Sequence, residues 1–187
     1  YPANGTPSGL VAATVNGDSI PDLLVANTTP HAVSVLVGHG DGSFAAPVSV
    51  RTEVSPTGLA AGDLNGDGAM DFAAANARAI SIHLGNGDLS FGSQENTYEV
   101  GPGHKVIAVA DLDHDGALDL AITSRKGDTL SLLFGRGDCT FATGPRLSTP
   151  VGPQGLAVGD INEDGFEDVV TVNAASSYTR FLGTGPR

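Results

Sequence analysis

The chain has 187 residues, 40% of them hydrophobic, with 26 glycines, 11 prolines and no tryptophan. Nine Lys and Arg against 21 Asp and Glu give a formal net charge of −12, which argues against nucleic acid and anionic membrane surfaces as partners, because phosphate binding needs a basic surplus. The apolar content suffices for a buried core and no stretch approaches the ~20 apolar residues that cross a bilayer, so a soluble single domain over residues 1–187 is expected.

The opening, YPANGTPSGL, reads as the middle of a folded module, as would remain after removal of a signal peptide. Short runs of Val, Ala, Leu and Ile separated by Gly and Pro then predict many short strands joined by tight turns. An apolar run, GLVAA, precedes TVNGDSIPD (14–22). A second run and a third, AVSVLVG, follow, and the turn GHGDGSF leads into the polar segment VSVRTEV. The same order recurs around DLNGDGAMD (63–71), DLDHDGALD (111–119) and DINEDGFED (160–168). The closing aspartates Asp22, Asp71, Asp119 and Asp168 are spaced by 49, 48 and 49 residues.

Four short strands per repeat at a nearly constant period predict an all-β fold, a β-propeller of four four-stranded blades. The first run of each unit is rich in Gly and Ala, as suits an innermost strand crowded near the axis. The next two carry Val, Ile, Leu and Phe for faces buried between sheets, and the last is polar, as suits an edge. The fourth unit stops at FLGTGPR, before a turn and an outer strand, while YPANG aligns with the end of an outer strand. The N-terminal strand is therefore expected to complete the ring, either within one chain or between two chains that pair as a homodimer with a larger ring.

The loops carry the chemistry. Units two to four place side-chain oxygens at loop positions 1, 3, 5 and 9: Asp63, Asn65, Asp67 and Asp71; Asp111, Asp113, Asp115 and Asp119; Asp160, Asn162, Asp164 and Asp168. The backbone carbonyl of position 7 (Ala69, Ala117, Phe166) would add a fifth oxygen. Like charges about 4 Å apart repel by roughly 4 kcal/mol at an effective dielectric near 20, so such a cluster calls for a cation. Five oxygens plus water suit Ca2+, which takes about six to eight oxygen ligands, whereas zinc would want His or thiolate. Glycine at position 6 (Gly68, Gly116, Gly165) permits the sharp turn. An EF-hand begins alike but needs a Glu at position 12, where Ala74, Ile122 and Thr171 stand, and helices on both sides. Loop one lacks the first acid, with Thr14 there and Ser19 at the glycine position, leaving Asn16, Asp18, the Ile20 carbonyl and Asp22 as a weaker set. Three calcium sites are expected, with a fourth in loop one in doubt.

These loops, together with GHGDGSF, GNGDLSF and GRGDCTF, resemble the FG-GAP/VCBS repeats of integrin alpha-subunit propellers and of secreted bacterial and fungal proteins, over essentially residues 7 to 187. The resemblance implies a calcium-stabilised, extracellular β-propeller used for recognition or as a scaffold, and maps the calcium ligands onto the twelve side chains of loops two to four. The expected function is non-catalytic binding of a protein or glycan ligand. The alternatives are a lectin with sugar pockets between blades, and a non-catalytic piece of a larger secreted enzyme or adhesin.

Other motifs read as structural. Arg136-Gly137-Asp138 spells an adhesion tripeptide, yet the other units carry Gly40-Asp41 and Gly87-Asp88 in the same turn. GDSI at 17–20 resembles the start of a serine-hydrolase signature, but Ser19 occupies a degenerate calcium loop. His31, His39, His83, His104 and His114 show no metal-ligand spacing. Cys139 reads as an unpaired turn thiol, available at most for pairing between chains. Tyr1, Tyr98 and Tyr178 are the only tyrosines, and Phe44, Phe72, Phe91 and Phe141 recur in core-like places, which leaves few aromatic platforms for a sugar.

Overall fold

The computed structural model describes residues 1–183 apart from 53, 104, 105 and 175, with the side chains of 93–96 also outside the description. His104 and the last four residues of FLGTGPR therefore lie outside the described residues. Among the described residues, fifteen strands form four antiparallel sheets, arranged as the four blades of a β-propeller. Blade one is β1 (Pro7–Ala13), β2 (Asp22–Asn27), β3 (Ala32–Leu36) and β4 (Val48–Arg51). Blade two is β5 (Gly58–Gly62), β6 (Asp71–Ala75), β7 (Ala79–Gly85) and β8 (Phe91–Glu99). Blade three is β9 (Ile107–Ala110), β10 (Asp119–Ser124), β11 (Thr129–Gly135) and β12 (Phe141–Ser148), and blade four is β13 (Pro153–Gly159), β14 (Asp168–Asn173) and β15 (Ser177–Phe181). The described residues contain no helix long and apolar enough to cross a membrane.

Strand placement follows side-chain size. Innermost β5 is Gly-Leu-Ala-Ala-Gly, whose small residues let it pack beside β1 and β9, and β13 packs on β9 in turn. The second strands of the two middle blades, β6 and β10, are buried throughout, because their sheets are covered by a neighbour on either side. Three apolar clusters join the blades in order. Leu24, Val33 and Val35 of blade one meet Leu59 and Phe72 of blade two. Ile80 and Ile82 meet Ile107, Leu120 and Phe141, and Leu112 and Leu130 of blade three meet Val169 of blade four. Among the described residues no such cluster leads from blade four back to blade one.

Two expectations are corrected here. Blade four has three described strands rather than four. The N-terminal segment expected to supply the missing one lies along blade one instead, where the Ala3 carbonyl accepts hydrogen bonds from Asn27 Nδ2 (3.0 Å) and Ser34 Oγ (2.7 Å). Thr6 exchanges backbone bonds with Thr28 and Thr29, and Tyr1 sets its ring edge-on to Phe44. The physical reason is local: Asn27 and Ser34 are buried polar side chains that need an acceptor, and the entering chain supplies it.

Candidate functional site

Every loop between the first and second strands occupies the span expected for it: 14–21, 63–70, 111–118 and 160–167 separate the paired strands, and the closing aspartate opens the second strand. That aspartate is fully buried in all four blades. One of its oxygens accepts the amide of loop position 2: Val15 to Asp22 at 3.0 Å, Leu64 to Asp71 at 2.9 Å, Leu112 to Asp119 at 2.8 Å and Ile161 to Asp168 at 3.1 Å. The other accepts the amide of the glycine that follows or ends the third strand, namely Gly38, Gly85, Gly135 and Gly183, at 2.7 to 2.9 Å. One carboxylate thus fixes the start of the loop to the far end of the neighbouring strand. Amide donors offset the cost of burying its charge. A Cβ at any of these four glycines would collide with the carbonyl of Pro21, Met70, Leu118 or Glu167.

This clamp was not legible in the motif, which presents the closing aspartate only as one more oxygen. The signal that could have revealed it is the glycine recurring after every third strand.

The remaining acidic positions shape the exposed part of the loop. Asp63 Oδ1 accepts the amides of Gly66 and Asp67, and Oδ2 that of Gly68. Asp111 and Asp160 repeat the pattern toward Asp115 and Gly116, and toward Asp164 and Gly165. Position 5 accepts the amide of position 7 in every loop, from Ile20, Ala69, Ala117 and Phe166 at 2.7 to 2.9 Å. Gly68, Gly116 and Gly165 sit at φ 87° to 91°, the left-handed region that glycine enters freely. Ser19 does not take that conformation, and Thr14 has no carboxylate to gather the turn, so loop one keeps its Asp22 clamp but loses the first-position one.

Position 3 separates loop three from the others. Asn16, Asn65 and Asn162 each donate Nδ2 to the position-5 carboxylate, at 2.7 to 2.8 Å. Asp113 has no such donor to offer, and Asp111, Asp113 and Asp115 present carboxylate oxygens that all lie within 4.8 Å of one another. Oxygens bound at about 2.3–2.6 Å to one calcium ion lie within about 5 Å of each other, so this spacing fits a single such ion. The donor set is all oxygen, as a hard cation requires. Burial pushes the Asp119 carboxyl up to about 6, the Gly135 and Leu112 amides oppose that shift, and the nearby Asp113 and Asp115 add to it. Burial raises Asp71 as well, against its amide donors. Asp67 is lowered, first by the Ala69 amide and then by Asn65.

Adjacent blades meet at these loops. Cys139, in the turn after β11, is buried; its amide donates to the Leu64 carbonyl and its thiol to Asp71 Oδ2, both at 3.3 Å. The expected turn thiol is therefore at its turn but not at the surface, and burial, then the Asp71 bond, raise its pKa. His114 of loop three stands edge-on to Phe166 of loop four, ring centres 4.9 Å apart. Arg136, Gly137 and Asp138 are exposed beside Cys139, and Asp138 Oδ1 accepts the Thr140 amide and hydroxyl, as Asp41 does with Ser43 and Asp88 with Ser90. Ser19 is exposed in loop one. A cleft of about 210 Å3 opens between blades three and four, with Phe134, Leu147 and Phe181 on its walls and Asp113 and Glu167 at its rim.

Fold and loops together define a repeat propeller with aspartate-rich loops between its first and second strands. The FG-GAP-like repeat model matches residues 15–74, 63–122 and 111–171, and the chain belongs to that family. No curated protein matches it. Among solved structures, an Agrocybe aegerita lectin that recognises non-reducing terminal N-acetylglucosamine aligns with 86% of this chain and 45% of its own, at 21% identity and a TM-score of 0.60. BBS1N, solved in complex with ARL6DN and soaked with mercury, aligns with 95% of this chain and 54% of its own, at 14% identity and a TM-score of 0.65. At these identities the likeness is one of fold. The chain spans about half the length of the solved chains it matches.

Proposed function

We propose that the chain is a calcium-stabilised, non-catalytic recognition module that works outside the cell and binds a protein or glycan. The observation that carries this reading is the loop-three trio, whose carboxylates share a space of calcium size with no asparagine amide to bridge them. Asp111, Asp113 and Asp115 would hold the ion there. Asp63, Asn65 and Asp67, and Asp160, Asn162 and Asp164, would do so in loops two and four, since an oxygen that accepts one amide keeps a second lone pair. The ion supplies positive charge and joins the two arms of the loop. In this reading it serves structure rather than turnover. The extracellular setting is part of the proposal through the resemblance of the loops to the FG-GAP repeats of secreted proteins.

The glycan reading has one specific observation in its favour. The cleft between blades three and four combines apolar walls from Phe134 and Phe181 with acceptors from Asp113 and Glu167, the mix that a sugar's apolar face and hydroxyls require. The likeness to a lectin of the same fold supports it further. The test is a glycan array with the calcium-loaded chain beside a pull-down from extracellular extract. Saturable sugar binding lost on Phe134→Ala selects the lectin reading, and a defined protein retained in calcium selects the protein one. Turnover in a hydrolase screen, abolished by Ser19→Ala, would overturn the non-catalytic reading.

A further inference from the structure

We propose that a pocket between Arg78 and Lys126, at the end of blades two and three opposite the aspartate-rich loops, binds the carboxylate or sulfate of an acidic polysaccharide. Charge is divided between the two ends of the blades. Among the described residues the acidic side chains fall in the spans 14–22, 63–71, 111–119 and 160–168 and in the turns at Asp41, Asp88 and Asp138, with Glu99 and Asp128 the exceptions. The cations Arg51, Arg78, Arg125 and Lys126 stand at the opposite end, at the close of β4 or in the turns that follow β6 and β10, and all four are exposed. Asp128 is already engaged, its Oδ1 accepting the Gly152 amide at 2.7 Å. Strands of five or six residues at about 3.3 Å each put roughly 17–20 Å between the two ends, twice the Debye length of ~8 Å at physiological salt. The loop carboxylates therefore leave the field at the basic end uncancelled, and the net charge of −12 does not describe that face.

The pocket, of about 240 Å3, is lined by Thr57, Ala77, Arg78, Pro102, Gly103 and Lys126. The link from β8 to β9 sets the two cations on either side of it. Val100 donates its amide to the Arg78 carbonyl at 3.1 Å and Gly103 donates to the Ala77 carbonyl at 3.0 Å, which fastens the link to the turn of blade two. Ser124 Oγ donates to the Pro102 carbonyl, and a Cβ on Gly103 would stand 2.9 Å from the Lys126 amide nitrogen, so the same link is pressed against the turn of blade three. No carboxylate lines the pocket, and among the described residues neither the Arg78 nor the Lys126 side chain has a partner. The lining comes from the two middle blades and the links into them, each flanked by a blade on either side within this chain. Such cations take an oxyanion, the guanidinium in bidentate fashion. A volume below the about 300–1,000 Å3 of drug-sized sites holds one charged ring rather than an extended segment. Cations recur at neighbouring places, Arg125 beside Lys126, and Arg51 with His31 along a groove at the same end of blade one. A stiff chain with an oxyanion on every or every second unit meets that series at a lower ordering cost than a flexible acidic peptide. This deepens the glycan reading and rests on it for the class of partner, at a site separate from the cleft between blades three and four.

The test is surface plasmon resonance of the 187-residue chain, in calcium-containing buffer, over immobilised chondroitin sulfate, hyaluronan, neutral dextran and polyglutamate. The expected result is saturable binding to chondroitin sulfate that weakens as salt rises, shared by hyaluronan where the carboxylate suffices and not shared where the sulfate is required. Dextran and polyglutamate should give none. Arg78→Gln combined with Lys126→Gln should lower the affinity about tenfold, as loss of two exposed charge-assisted contacts implies, and Lys126→Arg should retain it. Arg136→Gln combined with Arg180→Gln removes the same charge elsewhere and should leave the affinity within about twofold. All four positions are exposed, so each variant should keep its β-sheet circular dichroism and melting. Equal losses in the two double variants, equal binding to dextran or polyglutamate, or no binding to either acidic polysaccharide would each overturn the proposal. Neither cation lines the cleft between blades three and four, so those outcomes leave the glycan-array result for that cleft standing.

Discussion

The thiol of Cys139 donates to Oδ2 of Asp71 at 3.3 Å, so a turn of blade three is seated directly against the aspartate-rich loop of blade two. The same carboxylate holds the Leu64 and Gly85 amides, which makes Asp71 the point where a loop, its own blade and the next blade meet. Loop ordering and blade packing are coupled there.

Cys139 should consequently report on loop two. In calcium the buried thiol is expected to react slowly with a thiol-specific reagent, and chelation should speed the reaction severalfold by loosening the loop above it. A rate that is already fast, or one indifferent to chelator, would separate the turn from the loop.

The closing aspartates and the exposed ones differ in what their loss does. Asp71→Asn replaces an acceptor by an NH2 group facing a buried amide, and should destabilise even the calcium-free protein by about 2–3 kcal/mol. Asp115→Asn keeps the oxygen that accepts the Ala117 amide and relieves like-charge repulsion. Its calcium-free stability should be unchanged or slightly higher, while its stabilisation by calcium falls. Urea titrations with and without calcium measure both quantities. Equal effects of the two substitutions in chelator would contradict the division.

Position 3 ranks the loops. Loop three, with Asp113, should bind calcium most tightly, and loop one, without a first acid, most weakly. Asp113→Asn is expected to lower the tightest affinity seen by calorimetry, and Asp18→Asn to leave it unaltered. A tight site surviving Asp113→Asn would place it elsewhere.

His83 gives a pH dependence away from the loops. It is buried and stacked on Phe72 with ring centres 4.5 Å apart, and burial pushes its pKa down to about 4. The folded state prefers the neutral ring, so its contribution is fully present above the unfolded value near 6.5 and is lost as pH falls from there toward 4, by roughly 3 kcal/mol at most. His83→Phe should flatten the stability profile across that window. An unchanged slope would assign the acid loss to other groups.

The loop boundaries, the blade order and the small innermost strands were all legible in the sequence, because a fixed period and a change of side-chain size register directly in the letters. Roles that depend on a partner distant in sequence were not. Asp71 and Asp67 look alike in the motif, yet one is buried against two amides and the other lies in solvent; only the fold brings Gly85 to the first. The N-terminal segment aligned with an outer strand, but Asn27 and Ser34 draw it onto blade one.

The central claim is that calcium in the loops between first and second strands holds the propeller together, and thermal unfolding of calcium-loaded protein against the same protein in excess chelator tests it most directly. A tenfold excess of calcium over the dissociation constant adds about 1.4 kcal/mol per site, so three sites contribute about 4 kcal/mol and raise the Tm by roughly 8–16 °C. The account predicts a rise of that order, reduced by Asp67→Ala and by Asp115→Ala and little affected by Asp18→Ala. An identical melting curve in chelator, from protein shown by elemental analysis to contain calcium beforehand, would contradict it.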